Sequence, residues 1–185
     1  MSLADLLAQP DLEADAVASH LQQLAADRRV EEVVALSPAA QRGLWQLASR
    51  AAGQGELVPA GTAGIVVFAG RNSLGFLSRF EKRFTMQGGA VIGYNRHPLR
   101  GLIGPGYFTA EGGAESRLRF DYGRIPGRPP ESWPAVRGND GFPARLVYGN
   151  LVDDVVWVSA DVLVGSASRA GRELNSYFVL ARRPG

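Results

Sequence analysis

Arg117-Leu118-Arg119-Phe120-Asp121-Tyr122 alternates charged and apolar residues without a break. A period of two puts Leu118, Phe120 and Tyr122 on one face of a strand and the three charges on the other, so one face is buried and one is wet. The surrounding sequence supplies partners for such a strand. Short runs rich in β-branched and aromatic residues recur at 62–69, 80–86, 90–95, 102–110, 116–123, 144–150, 154–159, 161–168 and 175–182, with glycine dense among them. The stretch 73–84, with Leu74, Phe76, Leu77, Phe80 and Phe84, reads as a helical turn followed by a strand. No helical segment lies between these runs, which argues antiparallel pairing in a barrel or sandwich. Closure is favoured because it removes exposed edges.

Toward the N-terminus the period changes to that of a helix. Asp11 is placed to cap a segment whose Leu12, Val17, Leu21 and Leu24 share one face, and Val30, Val33 and Val34 extend it or form a second short helix. Ser37 is a good N-cap with Pro38 at the first helical position, and Leu36, Ala40, Leu44, Leu47, Ala48 and Ala51 make a stripe that Gly53 ends. The expected fold is therefore α+β: a helical N-terminal segment at 1–57, then an antiparallel, closed β-barrel at 58–185. The charge divides at nearly the same place. Through Val58 there are eight acids and four arginines, a net of −4, and beyond it 16 bases and 10 acids, a net of +6. The two parts attract each other, or the basic part meets an anionic ligand. Of the 20 basic residues only Lys82 is not arginine.

Several function classes fall away. With no cysteine, disulfides, thiolate metal sites and thiol nucleophiles are excluded. No apolar run approaches the ~18 residues that cross a bilayer, and Met1-Ser2-Leu3-Ala4-Asp5 has no basic signal region. A soluble, cytoplasmic protein without an integral membrane segment is expected. There is no phosphate loop, and Gly101-Leu102-Ile103-Gly104-Pro105-Gly106 is not a dinucleotide fingerprint, so no cofactor is expected. Gly104-Pro105-Gly106 reads instead as a barrel corner or bulge, or as a place where a ligand approaches the backbone. The breaker-rich stretch from Arg124 to Gly141 is a functional flap or a packed wrap anchored by Trp133.

Candidate chemistry is sparse. His20 lies in a helix with a surface role, and His97, in Asn95-Arg96-His97-Pro98, reads as a turn residue. Ser73 is one residue out of register with a nucleophile elbow and reads as a helix cap, although a triad of Ser73, His97 and an aspartate would assemble in space. Asp153 and Asp154 would point to opposite faces of a strand, and a turn or strand end is the simpler reading. Arg71, Arg79, Lys82 and Arg83 interleave with Phe80 and Phe84, which suits either nucleic acid or a half-buried strand with Arg–Glu pairs on its wet face. Tyr94, Tyr107, Tyr122, Tyr148 and Tyr177 all fall in predicted strands, and they suit a greasy pocket with a few fixed hydroxyls or the packing of barrel ends.

Leu36-Ser37-Pro38 leading to Gly43-Leu44-Trp45-Gln46-Leu47, followed in order by Val147-Tyr148, Asp153-Asp154, Val164-Gly165-Ser166 and Tyr177-Phe178-Val179-Leu180-Ala181-Arg182, resembles the bacterial family named for a Gly-x-Trp-x-Gly motif. Leu47 stands where that motif has its second glycine. The strand-rich end is similar more broadly to calycin barrels of the lipocalin and fatty-acid-binding type. The resemblance implies a small barrel with lipid or another apolar molecule inside and carries over no site residue. The expected function is thus binding of an apolar or amphipathic small molecule in a barrel cavity. Tyr94, Tyr107 and Tyr148 would give hydroxyl contacts, and Arg79, Arg83 or Arg119 would meet an anionic head group. No catalytic or metal residue is assigned. The rival is a non-catalytic interaction module with a filled barrel, whose partner is a protein or a second copy in a homo-oligomer. A hydrolase using Ser73 and His97 comes third. Nucleic acid is not an expected partner, since the net charge is only +2.

Overall fold

The computed structural model describes all residues except 52, 63, 76, 77, 113–116 and 185. Eight strands run in chain order around a closed antiparallel barrel: β1 (Val66–Asn72), β2 (Arg79–Gln87), β3 (Ala90–Arg96), β4 (Phe108–Gly112), β5 (Arg117–Asp121), β6 (Leu151–Ser159), β7 (Val162–Arg169) and β8 (Arg172–Arg182). β8 closes the ring by pairing with β1, from Phe68 opposite Arg182 to Asn72 opposite Phe178. Every strand among the described residues therefore has two partners.

Strand alternation decides what lies inside. Phe68, Phe84, Phe108, Phe120, Val155, Leu163 and Leu180 point inward and are fully buried. Their rings interlock edge-on, with Phe84 5.5 Å from Phe68 and 5.6 Å from Phe108. Inward glycines make room for this aromatic mass: a Cβ on Gly165 would lie 2.3 Å from the Phe178 ring. One end of the barrel is plugged by Leu57, Val58 and Trp157, with Gly53 and Gly55 lying flat against Trp157. The other end is not filled.

The helices are α1 (Leu3–Leu7), α2 (Ala14–Gln23), α3 (Ala26–Ala35) and α4 (Pro38–Ala48). Ser37 caps α4 as expected, its hydroxyl accepting from the Ala40 amide at 3.2 Å. The helix ends at Ala48, five residues before Gly53, its last turn closed by the Ser49 amide on the Trp45 carbonyl and the Arg50 amide on the Leu47 carbonyl. Val33 and Val34 lie on their own helix, whose last carbonyls, of Val34 and Ala35, accept from Arg71 of β1. Leu3, Val17, Leu21, Val33, Leu36 and Leu44 form a second core against the outward faces of Val156, Val158, Val162, Val164, Val179 and Ala181. These strands are hydrophobic on both faces because the barrel lies on one side and the helices on the other. Arg29 ties the layers together, donating to the Leu21 and Leu24 carbonyls and to Asp161 in the β6–β7 turn.

Three expectations are corrected. The run 144–150 is a helical turn, α6 (Ala144–Tyr148), because Ala144 and Tyr148, four apart, share its buried side. The run 102–110 begins as a helical turn, α5 (Arg100–Ile103), and passes through left-handed Gly104 (φ 81°) and Gly106 (φ 57°) before β4 starts at Phe108. Tyr148 is thus helical, while Tyr107 and Tyr122 flank strands rather than lying in them. Asp153 and Asp154 sit within β6, not at a turn. For the stretch 73–84, residues 73–75 bend and the strand starts at Arg79; Phe76 and Leu77 lie outside the described residues.

The Pro-rich connection is the packed wrap. Trp133 is buried on the barrel's outer wall, 4.8 Å from the Tyr94 ring and 6.1 Å from Tyr107. The Tyr107 hydroxyl donates to the Pro134 carbonyl at 2.6 Å. Asn139 donates to the carbonyls of Tyr107 and Tyr122, at 2.7 and 2.8 Å.

Candidate functional site

The unfilled end of the barrel encloses a cavity of about 460 Å³. Phe80, Phe178, Ala167 and Leu151 form its walls, and Leu74, Leu99, Leu146, Val147 and Leu174 its exposed rim. α5 and α6 stand beside each other at this mouth and supply Ile103, Leu146, Val147 and Tyr148.

At the inner end of the cavity lies a buried polar cluster. Lys82 stands on the inward face of β2 between Phe80 and Phe84 and is 2% exposed. Its ammonium donates to Tyr122 Oη at 2.5 Å, Asn95 Oδ1 at 3.0 Å and Asp153 Oδ2 at 3.2 Å. The Tyr122 hydroxyl lies 3.1 Å from Asp153 Oδ2, and Asn95 Nδ2 donates to Tyr122 Oη and to the Gly106 carbonyl, each at 3.1 Å. Around Nζ stand the rings of Phe108 at 4.7 Å, Tyr122 at 5.1 Å, Phe178 at 5.2 Å and Phe120 at 5.3 Å. β2, β3 and β6 place Lys82, Asn95 and Asp153 in inward slots of their alternation, and Tyr122 follows the last residue of β5 on the same side as Phe120.

A second pair joins it through a stacked ring. Tyr148 lies parallel to Tyr122, 5.5 Å between centroids, and its hydroxyl is 2.8 Å from His97 Nε2. Gly106 makes the stack possible: a Cβ there would fall 2.4 Å from the Tyr148 ring. The glycine-proline-glycine corner thus brings the backbone against a side chain of the site.

Burial sets the electrostatics. It pushes the Lys82 ammonium below its ordinary range, opposed by the Asp153 carboxylate beside it. It pushes the Asp153 carboxyl up, opposed by Lys82 and Tyr122. Burial and the charge of Asp153 raise both Tyr122 and Tyr148, and burial lowers His97, with Arg100 adding to the effect. Each shift favours the neutral form. The cluster can therefore hold one proton between Nζ and Oδ2 and offer a ligand neutral donors and acceptors in an apolar surround.

Of the residues expected to contact a ligand, Tyr148 lines the cavity. Tyr94 and Tyr107 face outward beneath Trp133. Arg83 pairs with Glu81 on the outer face of β2, and Arg119 lies across from Glu111 and Asp154 on the outside of β5. Arg79 sits in an outer groove with Glu81, Arg96, Arg100 and Arg183. Ser73 and His97 are not brought together: Ser73 Oγ accepts from the Tyr177 amide at 2.9 Å, while His97 engages Tyr148. His20 bonds Glu32 at 3.1 Å on the helical layer.

Lys82, Asp153, Asn95 and Tyr122 were not singled out as a set by the sequence, yet a signal for Lys82 is there. Arg79-Phe80-Glu81-Lys82-Arg83-Phe84 has period two, so Lys82 shares a face with Phe80 and Phe84 while Glu81 goes with the arginines. The lone lysine of the chain thus falls on the apolar side of its strand. Comparison with protein-family models, with curated proteins and with solved structures gives no match.

Proposed function

We propose that this protein binds a small molecule with an apolar body and one polar end, taken up through the open mouth of the barrel. The observation that carries this reading is the cavity: about 460 Å³, walled by apolar side chains, and ending on the Lys82–Tyr122–Asn95–Asp153 cluster. A mostly apolar concavity with a few convergent polar groups is the usual form of a small-molecule site. The apolar rim suits a ligand that enters with its polar end leading and leaves its apolar tail against Leu74, Leu99, Leu146 and Leu174, which are exposed there. The polar contact passes to Lys82 and its neighbours, with Tyr148 and His97 on the wall. Asp153 already matches the charge of Lys82, so a neutral polar group fits better than an anion, whose charge would stay unpaired in a dry site.

The test is binding of the neutral fluorescent probe N-phenylnaphthylamine and its displacement by fatty alcohols. Ala167 faces into the cavity from β7, directly across from Asp153 of β6, and Ala167→Trp puts an indole into the space a ligand would take. We expect the wild type to bind the probe and the variant to lose at least about tenfold in affinity, equivalent to ~1.4 kcal/mol. Absence of binding, or equal binding by a folded Ala167→Trp protein, would reject the cavity reading and turn attention to a protein-interaction role.

A further inference from the structure

We infer that the barrel captures aldehydes or ketones covalently, the Lys82 amine forming an imine with the carbonyl carbon of a ligand whose apolar part occupies the cavity. This rests on the binding reading above and narrows its ligand to a carbonyl compound.

Three features of the site converge on it. A primary amine stands at the inner end of an apolar cavity, the only lysine among 20 basic residues, while the outer surface carries arginine. Arginine would serve as well for charge, but only lysine supplies an amine that can lose its proton and attack. Second, the proton has somewhere to go. Asp153 Oδ2 is 3.2 Å from Nζ, and transfer across that bond leaves a neutral amine and a neutral acid, a state that burial favours on both sides. Third, hydrogen-bonding groups lie beside the amine for a carbonyl oxygen to use, with Tyr122 Oη 2.5 Å and Asn95 Oδ1 3.0 Å from Nζ and Asn95 Nδ2 donating to Tyr122 Oη. The remaining groups facing this centre, Tyr148 and His97, are held toward their neutral forms by burial. The aromatic rings around Nζ complete a dry wall against which an iminium is stabilised by cation–π attraction.

The step balances within these groups. The amine lone pair forms the C–N bond as the carbonyl π pair moves to oxygen, and one amine proton is transferred to that oxygen, giving a carbinolamine. Asp153, carrying the proton first taken from Lys82, protonates the hydroxyl, which leaves as water while the nitrogen lone pair forms C=N. The product is an iminium paired with the Asp153 carboxylate, and no oxidant or reductant is consumed.

The experiment uses the intact chain with decanal and, separately, with decanol. Displacement of N-phenylnaphthylamine reports binding of both. Sodium cyanoborohydride then traps any imine, and peptide mass mapping locates the added decyl group. We expect both compounds to displace the probe, and decanal alone to leave one decyl group on the peptide containing Lys82. Lys82→Met should lose that adduct. Displacement by both compounds with no decyl group on Lys82, or with decyl confined to the Met1 amine, overturns the inference and leaves the binding reading standing. Failure of both to displace the probe overturns the two together. The wild-type mapping decides the matter even if Lys82→Met does not fold.

Discussion

Lys82 and Asp153 show how a single residue changes meaning with its surroundings. Each would be costly to bury alone, and together they leave no net charge in the barrel. Replacing Asp153 by leucine would strand the Lys82 cation and should cost about 3–5 kcal/mol. The double variant Lys82→Met with Asp153→Leu should recover most of that loss, because an apolar pair of similar volume removes both charges. Urea unfolding of the two single variants and the double reads the coupling directly. Equal instability of the double variant and Asp153→Leu would mean that the pair is not the source of the cost. His97 gives a pH signature. Burial lowers its folded-state pKa below the unfolded value of about 6.5, so below that pH the unfolded chain binds the extra proton first. Stability must then rise with pH across that window and fall as pH drops through it. The difference in unfolding free energy between the wild type and His97→Gln should therefore shrink as the solution is acidified from pH ~7. Asp153, whose pKa is raised by burial, is common to both proteins and so cancels in the difference. A pH-independent difference would show that His97 does not titrate differently on folding.

Among the elements, the strands were far more legible than their connections. The alternation in 117–122 fixes which side chains enter the barrel, and Phe120 and Tyr122 are indeed inside with Arg117 and Arg119 outside. The same rule, applied to 79–84, separates Lys82 from its charged neighbours. The runs at 144–150 and 102–110 misled because a four- or five-residue apolar segment satisfies either period, and only its neighbours select one. Glycine decided the second of them. Gly106 is held at φ 57° with the Tyr148 ring where a Cβ would go, so Gly106→Ala is strained in backbone and overpacked at once. It should lower stability by about 1–3 kcal/mol and weaken probe binding by displacing Tyr148 from the cavity wall. Chemical denaturation and the fluorescence titration check the two halves; an unchanged titration would remove Tyr148 from the site.

The whole molecule is a barrel with two surfaces that must be kept from water: the packed part of its interior and the outward valines of β6, β7 and β8. The N-terminal helices cover the second, and Leu44 of α4 is wholly buried at that seam. Leu44→Ala should cost about 2–5 kcal/mol and shift helical and near-ultraviolet dichroism transitions together, because the layers share one core contact. Separate transitions would mean that helices and barrel fold as independent units. What the sequence determined by itself is local: the helix start at Ser37 and Pro38, the change of period after Gly55, and the inward or outward sense of each strand residue. These depend on backbone geometry repeating over two or four residues. The tertiary structure alone decided that Lys82 meets Asn95, Tyr122 and Asp153, which lie 13, 40 and 71 residues away. It also decided that one barrel end is plugged by Leu57, Val58 and Trp157 while the other stays open. Such meetings depend on the registers of eight strand pairs summed around a closed ring, a long-range constraint that no local period encodes.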